Sequence, residues 1–268
     1  MVETMGKPTI AVSLERANIR FGPLGARFGN PPDGWQRASD IVSNPDAVLG
    51  LLDEVEIVYA IGPSDRQISA SFLVQGYFWY PMVGAFACYL LDRRVPDLSA
   101  ENLAMDLRGG VVFTSPRCFA LPDDTDADHP DVTVVADRAA LRACLVRQLQ
   151  EKHATPLFAT LRSIAPYGIN GMRTNYVDRL VSAVLWLCEQ LGDWNLAREE
   201  VPAFVALVDS KSRAGIIEIE HEGRTGVFLK RSGCCLNYRL PGRELCDTCS
   251  LRPMDERVVV LRKHLRDG

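Results

Sequence analysis

Cys234-Cys235-Leu-Asn-Tyr-Arg-Leu-Pro-Gly-Arg-Glu-Leu-Cys246-Asp-Thr-Cys249, near the end of the 268-residue chain, puts four thiols within sixteen residues. A mononuclear tetrahedral site usually draws on two spaced pairs, each wrapping the same ion through a short knuckle. Adjacent cysteines suit that poorly, because extended backbone sends successive side chains to opposite sides. Cys234 and Cys235 more easily reach two different atoms of a larger centre. A 2Fe–2S cluster takes four cysteines, and this spacing suits a binuclear centre better than one zinc. An iron–sulfur cluster is therefore the leading reading, ahead of a structural zinc and, third, a disulfide pair.

The flanking residues agree. Between Phe228 and Pro253 the basic residues are Lys230, Arg231, Arg239, Arg243 and Arg252, against only Glu244 and Asp247, in a chain of net charge −4. Positive charge and hydrogen bonds near a cluster favour its reduced, more negative form. The same field would steer an acidic electron donor or an anionic metal chelate. For any single arginine here, the better reading is that it merely solvates a surface loop. Gly233 and Pro241-Gly242 supply the tight turns that bring backbone close to sulfur.

Upstream, Ile216 to His221 and Thr225 to Lys230 read as two strands about Glu222-Gly223-Arg224, a hairpin delivering the chain to Cys234. Arg257 to Leu265 reads as a terminal helix covering the hairpin or the cluster. The clearest helix runs from Thr174 to Leu191, where Val177, Leu180, Val181, Val184, Leu187, Cys188 and Leu191 form one apolar stripe ended by Gly192. Arg198 to Val208 is a further helix, begun around Pro202. Asp137 caps a helix to about Lys152, and Thr155-Pro156 starts another to about Ile164.

Nearer the start, Thr9 to Leu14 alternates weakly, as an edge strand would. Trp35 to Glu56 reads as helix, interrupted at Asn44-Pro45. Gln67 to Leu91 carries no charge over 25 residues, long enough to span a bilayer. Pro81 and the aromatic run Tyr77-Phe-Trp-Tyr80 point instead to two buried helices meeting near Pro81. A peripheral membrane contact stays open. Ser99 caps a short helix through Asp106, Val111 to Thr114 and Val132 to Val135 are strands, and Pro122 to Asp131 is a solvated acidic linker.

Composition bounds the function. Hydrophobic content of 47% with 24% charged residues is that of a globular protein with a sizeable core. Net negative charge argues against nucleic-acid binding. The other cysteines (Cys88, Cys118, Cys144 and Cys188) are scattered singly in apolar surroundings, so each reads as a small buried hydrophobe. Reduced cysteines and no secretory pattern in Met1 to Gly29 suit the cytoplasm. No hydrolase signature is present. His221 would become a ligand only in a mixed His-and-Cys cluster, and four cysteines already complete the set.

The order Cys-Cys-x10-Cys-x2-Cys resembles that of the ferric-siderophore reductases of the FhuF type. Ser71-Phe-Leu-Val-Gln-Gly-Tyr, Val95-Pro-Asp-Leu and Thr174-Asn-Tyr-Val-Asp-Arg-Leu-Val-Ser-Ala-Val-Leu-Trp186 follow in the order such a protein would have. The resemblance implies a 2Fe–2S cluster on Cys234, Cys235, Cys246 and Cys249. It also implies an oxidoreductase that reduces Fe(III) in a ferric siderophore by one electron and releases Fe(II). Near Thr174-Asn175 a more Gly-Asn-like turn would be expected, so no role is carried over there.

The expected architecture is α+β: a mainly helical body, residues 1–229, that could dock a ferric chelate, and a cluster-binding segment, residues 230–268. An electron donor such as a ferredoxin or flavodoxin system would be needed, since no flavin or nicotinamide motif is evident. Tyr77, Trp79 and Tyr80 could wall a chelate pocket, although aromatics in an apolar segment belong by default to a core. The alternative function is a non-catalytic iron–sulfur sensor or a zinc-stabilised binding protein.

Overall fold

The computed structural model describes residues 9–209 and 211–267. In chain order the first elements are α1 (Thr9–Phe21), β1 (Ala26–Phe28), β2 (Gln36–Arg37), α2 (Ala38–Val42), α3 (Pro45–Tyr59) and α4 (Arg66–Asp92). Short strands follow: β3 (Val95–Pro96), β4 (Leu103–Asp106), β5 (Gly110–Phe113), β6 (Cys118–Ala120) and β7 (Val132–Val134). Then come α5 (Arg138–Gln148), α6 (Thr155–Ile164), α7 (Ile169–Leu191), α8 (Trp194–Val208), β8 (Gly215–His221), β9 (Arg224–Lys230) and α9 (Met254–Asp267). With 57% helix and 14% strand in small sheets, the fold is α+β with a helical body. Two compact units interleave along the chain: residues up to Asn44 with Tyr80–Leu157, and Pro45–Trp79 with the residues from Phe158 onward.

In the first unit, the segment expected as an edge strand is helix α1. Ile10, Leu14, Ala17 and Phe21 recur at helical spacing and are buried, a stronger signal than the weak alternation over Thr9 to Leu14. A four-stranded sheet has the order β1-β5-β4-β2, parallel only between β1 and β5. β2 takes Gln36 and Arg37 out of the helix expected from Trp35. The expected break at Asn44-Pro45 then separates α2 from α3. Ser99 begins a single 3-10 turn rather than a helix to Asp106. Leu103 and Ala104 beyond it are completely buried in β4, opposite Phe113 and Val112. Gly110 has φ of 120°, and a Cβ there would run into the Gly25 carbonyl, which accepts the Val111 amide at 2.7 Å.

A second sheet of this unit has the order β3-β6-β7. The acidic loop beyond it is clamped rather than freely solvated. Buried Arg94 forks onto Asp124 at 2.7 and 2.6 Å and reaches Asp126 at 2.9 Å. Asp137 caps α5 as expected, accepting from the Ala140 amide. Between α5 and α6 the backbone widens into a π-turn over Leu149–Ala154.

In the second unit, α7 begins five residues before the expected Thr174, at Ile169, and ends at Gly192 in a left-handed cap with φ of 71°. Its stripe is buried from Val177 through Cys188, and Leu191 at the end is half-buried. Tyr176 packs edge-on against Phe78 and Phe158, with ring centroids 4.7 and 6.2 Å apart. α8 starts at Trp194, earlier than Pro202, because Asp193 accepts from the amides of Asn195 and Leu196. β8 and β9 pair from Gly215↔Lys230 to His221↔Arg224. Glu222 and Gly223, both at positive φ, form the two-residue turn. α9 lays Leu261, with Val258 and Leu265, on Ile217, Ile219 and Phe228 of that hairpin.

α4 is one helix, not two meeting at Pro81. It gives its residues up to Trp79 to the second unit and the rest to the first. A proline inside a helix removes one backbone bond and costs about 3 kcal/mol. Burial of Leu73, Val74, Tyr77 and Phe78 before it, and of Met82, Val83, Ala85 and Phe86 after it, outweighs that cost. Tyr77 is fully buried and so belongs to the core rather than to a pocket wall. Among the described residues, no helix is long and apolar enough to cross a membrane.

Candidate metal centre

β9 ends at Lys230 and the chain turns at once onto α7. Asp178, 1% exposed, accepts from the Ser232 amide at 2.7 Å, the Ser232 hydroxyl at 2.8 Å and the Gly233 amide at 3.1 Å, with Arg231 at 4.0 Å. Burial pushes its carboxyl above the usual range, and those donors and Arg231 pull the other way. Gly233 is needed here for close approach: a Cβ would collide with the Thr174 side chain. Two residues on, Ser71 of α4 donates to the Cys235 carbonyl at 2.9 Å. Asn175 donates to Ser71 at 2.7 Å and to the Tyr167 hydroxyl at 2.6 Å. Thr174, Asn175 and Asp178 share one face of α7 by their three- and four-residue spacing, and that face holds both ends of the Cys-Cys turn. All these residues belong to the second unit.

The four cysteines are free thiols. Leu236 adopts a left-handed backbone, φ of 64°, unusual for a branched side chain. It lets successive amides face sulfur: Leu236 N–H donates to Cys234 at 3.3 Å, and Asn237 N–H donates to Cys235. Leu251 N–H donates to Cys249 at 3.5 Å. The Cys246 thiol donates to Cys235. That bond draws the Cys235 pKa down, aided by the Asn237 amide and Arg231, and drives the Cys246 pKa up. Burial pushes Cys234 up, and the charges of Cys235 and Cys249 reach it. Cys249 also lies within electrostatic reach of Cys246. One thiol of each pair, Cys235 and Cys246, is thus brought into contact, and Cys234 and Cys249 lie within electrostatic reach.

Three arginines brace the loops. Arg252 donates to the carbonyls of Cys246 and Leu245 at 3.2 and 2.8 Å, and Arg257 to those of Arg252 and Ser250 at 2.9 and 3.1 Å. Arg239 ties the intervening loop to Gln67 at 2.8 Å. Free, mutually close thiols with amide and guanidinium donors around them are the donor set a thiolate-bound iron–sulfur cluster needs. Among the described residues no group of three or more His, Cys, Asp or Glu side chains is arranged to hold a metal ion. The residues fit the chemistry of the cluster in their donor set and electrostatics.

The family model described as the FhuF 2Fe-2S C-terminal domain matches residues 231–251. This stretch contains all four cysteines and the Arg231-Ser232-Gly233 turn that Asp178 holds. The match supports an iron–sulfur protein related to siderophore iron handling. No curated protein matches the chain.

Beside Cys235 and Cys246 lies a cavity of about 320 Å³. Tyr59 and Phe72 line it, their rings edge to face at 4.7 Å, together with Arg179 and Arg231. Sequence reasoning missed Ser71, Asn175, Asp178 and Arg179. All four lie in the stretches quoted above for the resemblance, where no role was given to them; a second signal was the polar pair Asn175 and Asp178 set among Tyr176, Val177 and Leu180 in the buried part of α7.

Proposed function

We propose that this protein is an oxidoreductase that reduces Fe(III) in a ferric siderophore by one electron and so releases Fe(II). The reading gives a 2Fe–2S cluster to Cys234, Cys235, Cys246 and Cys249, within the segment 230–268. When bound, the cluster supplies reversible one-electron exchange at modest reorganisation. The observation that carries the reading is the Cys235–Cys246 contact between the two cysteine pairs, with Cys234 and Cys249 in electrostatic reach and amide donors and Arg231 beside the sulfurs, within the stretch that resembles the FhuF 2Fe-2S domain.

The chain's own residues have definable parts. The amides of Leu236, Asn237 and Leu251 stabilise negative charge on three of the sulfurs, and Arg231 adds a positive charge beside them. Both favour the electron-rich state. Asp178, Ser71 and Asn175 fix the vicinal pair, while Arg252 and Arg257 fix the Cys246 loop. Oxygen-rich siderophores prefer the hard, highly charged Fe(III), so one added electron removes much of their hold on the metal. An external donor of the ferredoxin or flavodoxin kind would renew the electron, working in the cytoplasm.

Anaerobically purified protein is expected to be reddish-brown, to contain iron and acid-labile sulfide, and to bleach with dithionite. Reduced protein mixed with ferric hydroxamate chelates and an Fe(II) trap should reoxidise and deliver trapped Fe(II). Absence of iron and sulfide, or a colourless protein loaded with zinc, would overturn the cofactor. A loaded protein that reoxidises with no chelate tested would leave the sensor reading in place of the reductase.

A further inference from the structure

The cavity beside Cys235 and Cys246 contains two arginines, and no carboxylate lines it among the described residues. Arg179 is the telling one. Its Nε is buried without a hydrogen-bond partner among the described residues. Its guanidinium lies over the Trp79 ring, 5.0 Å from the centroid, and Trp79 is itself set against Trp186. Stacking holds a guanidinium plane in place and leaves its edge for a planar anion. Arg231 adds a second charge; its Nε is engaged by Thr248 at 3.3 Å, and Asp178 lies 4.0 Å from its Nη1. Two like charges thus face one cavity, and the nearby carboxylate of Asp178 already accepts from Ser232 and Gly233. Gln75 offers a neutral polar group, and Tyr59 and Phe72 an aromatic wall.

We propose that this cavity is a binding site for a negatively charged ferric chelate that presents a carboxylate to Arg179 and Arg231. The proposal rests on the reductase reading for the identity of the metal, and it adds a selectivity: anionic carboxylate chelates over neutral ones. At about 320 Å³, the space lies at the small end of the roughly 300–1,000 Å³ usual for ligand sites. Since a cluster on Cys235 and Cys246 would take part of that space, it admits one carboxylate arm of a chelate rather than a whole large one. A chelate seated there lies directly against two of the four thiol positions, with no protein layer between them. Arg179 is thus a substrate-binding residue and contributes no ligand to the cluster.

The test uses cluster-loaded full-length protein and redox-inert Ga(III) chelates, so that binding is read without any electron transfer. Ga(III)–citrate should bind measurably by calorimetry at low ionic strength, and neutral Ga(III)–tris(acetohydroxamate) more weakly. Arg179→Gln should weaken citrate-chelate binding by about tenfold or more, the worth of one charge-assisted hydrogen bond, and leave the neutral chelate unchanged. Arg179→Lys should recover part of the loss. Should Arg179→Gln fold poorly, Gly76→Asp serves instead. It adds a carboxylate beside the cavity where a Cβ meets nothing within 4 Å, and it should abolish binding of the anionic chelate.

Equal affinity for the two chelates in wild type and variants would overturn the proposal. So would a variant that shifts only the cluster's reduction potential, since the arginine would then merely balance cluster charge. Reduction of Fe(III) chelates with no charge preference would sink this site and leave the reductase standing. Tight, Arg179-dependent Ga(III)–citrate binding without reduction of the Fe(III) chelate would support the site and overturn the reductase.

Discussion

Asp178 carries the heaviest structural demand of any single side chain around the cysteines. Its carboxylate is almost wholly buried, and it accepts three hydrogen bonds from the two residues that precede the vicinal pair. Replacing it by Asn keeps the shape but leaves one acceptor oxygen for three donors and turns an N–H₂ toward them. A buried donor left unpaired costs about 1–3 kcal/mol, more when the lost partner is charged. Asp178→Asn is therefore expected to lower iron and sulfide per chain severalfold, with only a modest fall in the urea midpoint, since the core stripe of α7 is untouched. Iron content, visible absorbance and denaturation of purified variant check this. Wild-type iron loading would mean that the Ser232-Gly233 turn is held by other contacts. Leu236 makes a related point: a branched residue at φ of 64° costs on the order of 1–3 kcal/mol, accepted where two successive amides have to meet sulfur.

At the scale of elements, legibility followed how much of the signal was local. The α7 stripe, its Gly192 cap, the β8–β9 hairpin, the Asp137 cap and the four-cysteine loop are written in spacing and in turn residues, and they can be read without knowing the neighbours. α4 is different: Pro81 argues for a break on local grounds, and only burial on both sides overrules it. β4 likewise has the length of a short helix until its pairing with β5 is known. The polar scaffold of Ser71, Asn175 and Asp178 was hidden because polar residues on a helix ordinarily face water. The π-turn over Leu149–Ala154 was equally silent, since one extra residue per turn leaves no compositional mark.

That π-turn makes a testable statement. It buries His153, 1% exposed, with its Nε2 2.7 Å from the Leu98 carbonyl, so the proton sits on Nε2 and the ring is neutral. Burial draws its pKa down to about 4, against the opposing effects of the Leu98 carbonyl and Glu101. A folded pKa below the unfolded value of about 6.5 means that the unfolded chain binds the proton first. Its stability contribution is then complete above pH 6.5 and is lost as the pH falls toward 4. The loss is about 2 kcal/mol by pH 5. Urea unfolding at pH 7.5 and pH 5 should show His153→Gln losing less stability on acidification than wild type, by roughly that amount. Identical losses in the two proteins would place the acid sensitivity elsewhere.

At the scale of the whole molecule, sequence continuity and compactness part company. The units interleave, with Pro45–Trp79 grouped with the residues from Phe158 onward, so the second unit closes only when a stretch near position 70 meets one near position 235. The contacts that do this are polar and specific: Ser71 to the Cys235 carbonyl, and Asn175 and Asp178 bridging from α7. Residues 230–268 alone would lack all three, and would also lose the whole β8–β9 surface, Ile217, Ile219 and Phe228, on which Leu261 is buried. Chains below about 40 residues rarely bury enough apolar surface to fold unaided, although a metal centre can supply the missing free energy. Those two effects oppose each other, and the first should win here, because the loop geometry depends on partners that the fragment lacks. A peptide of residues 230–268 given iron and sulfide anaerobically is therefore expected to stay disordered by far-ultraviolet circular dichroism. It should develop far less of the visible absorption that the full chain acquires under the same treatment. Full reconstitution by the fragment would show that the cysteine loop is self-sufficient, and that the α4 and α7 contacts position it without being needed to form it.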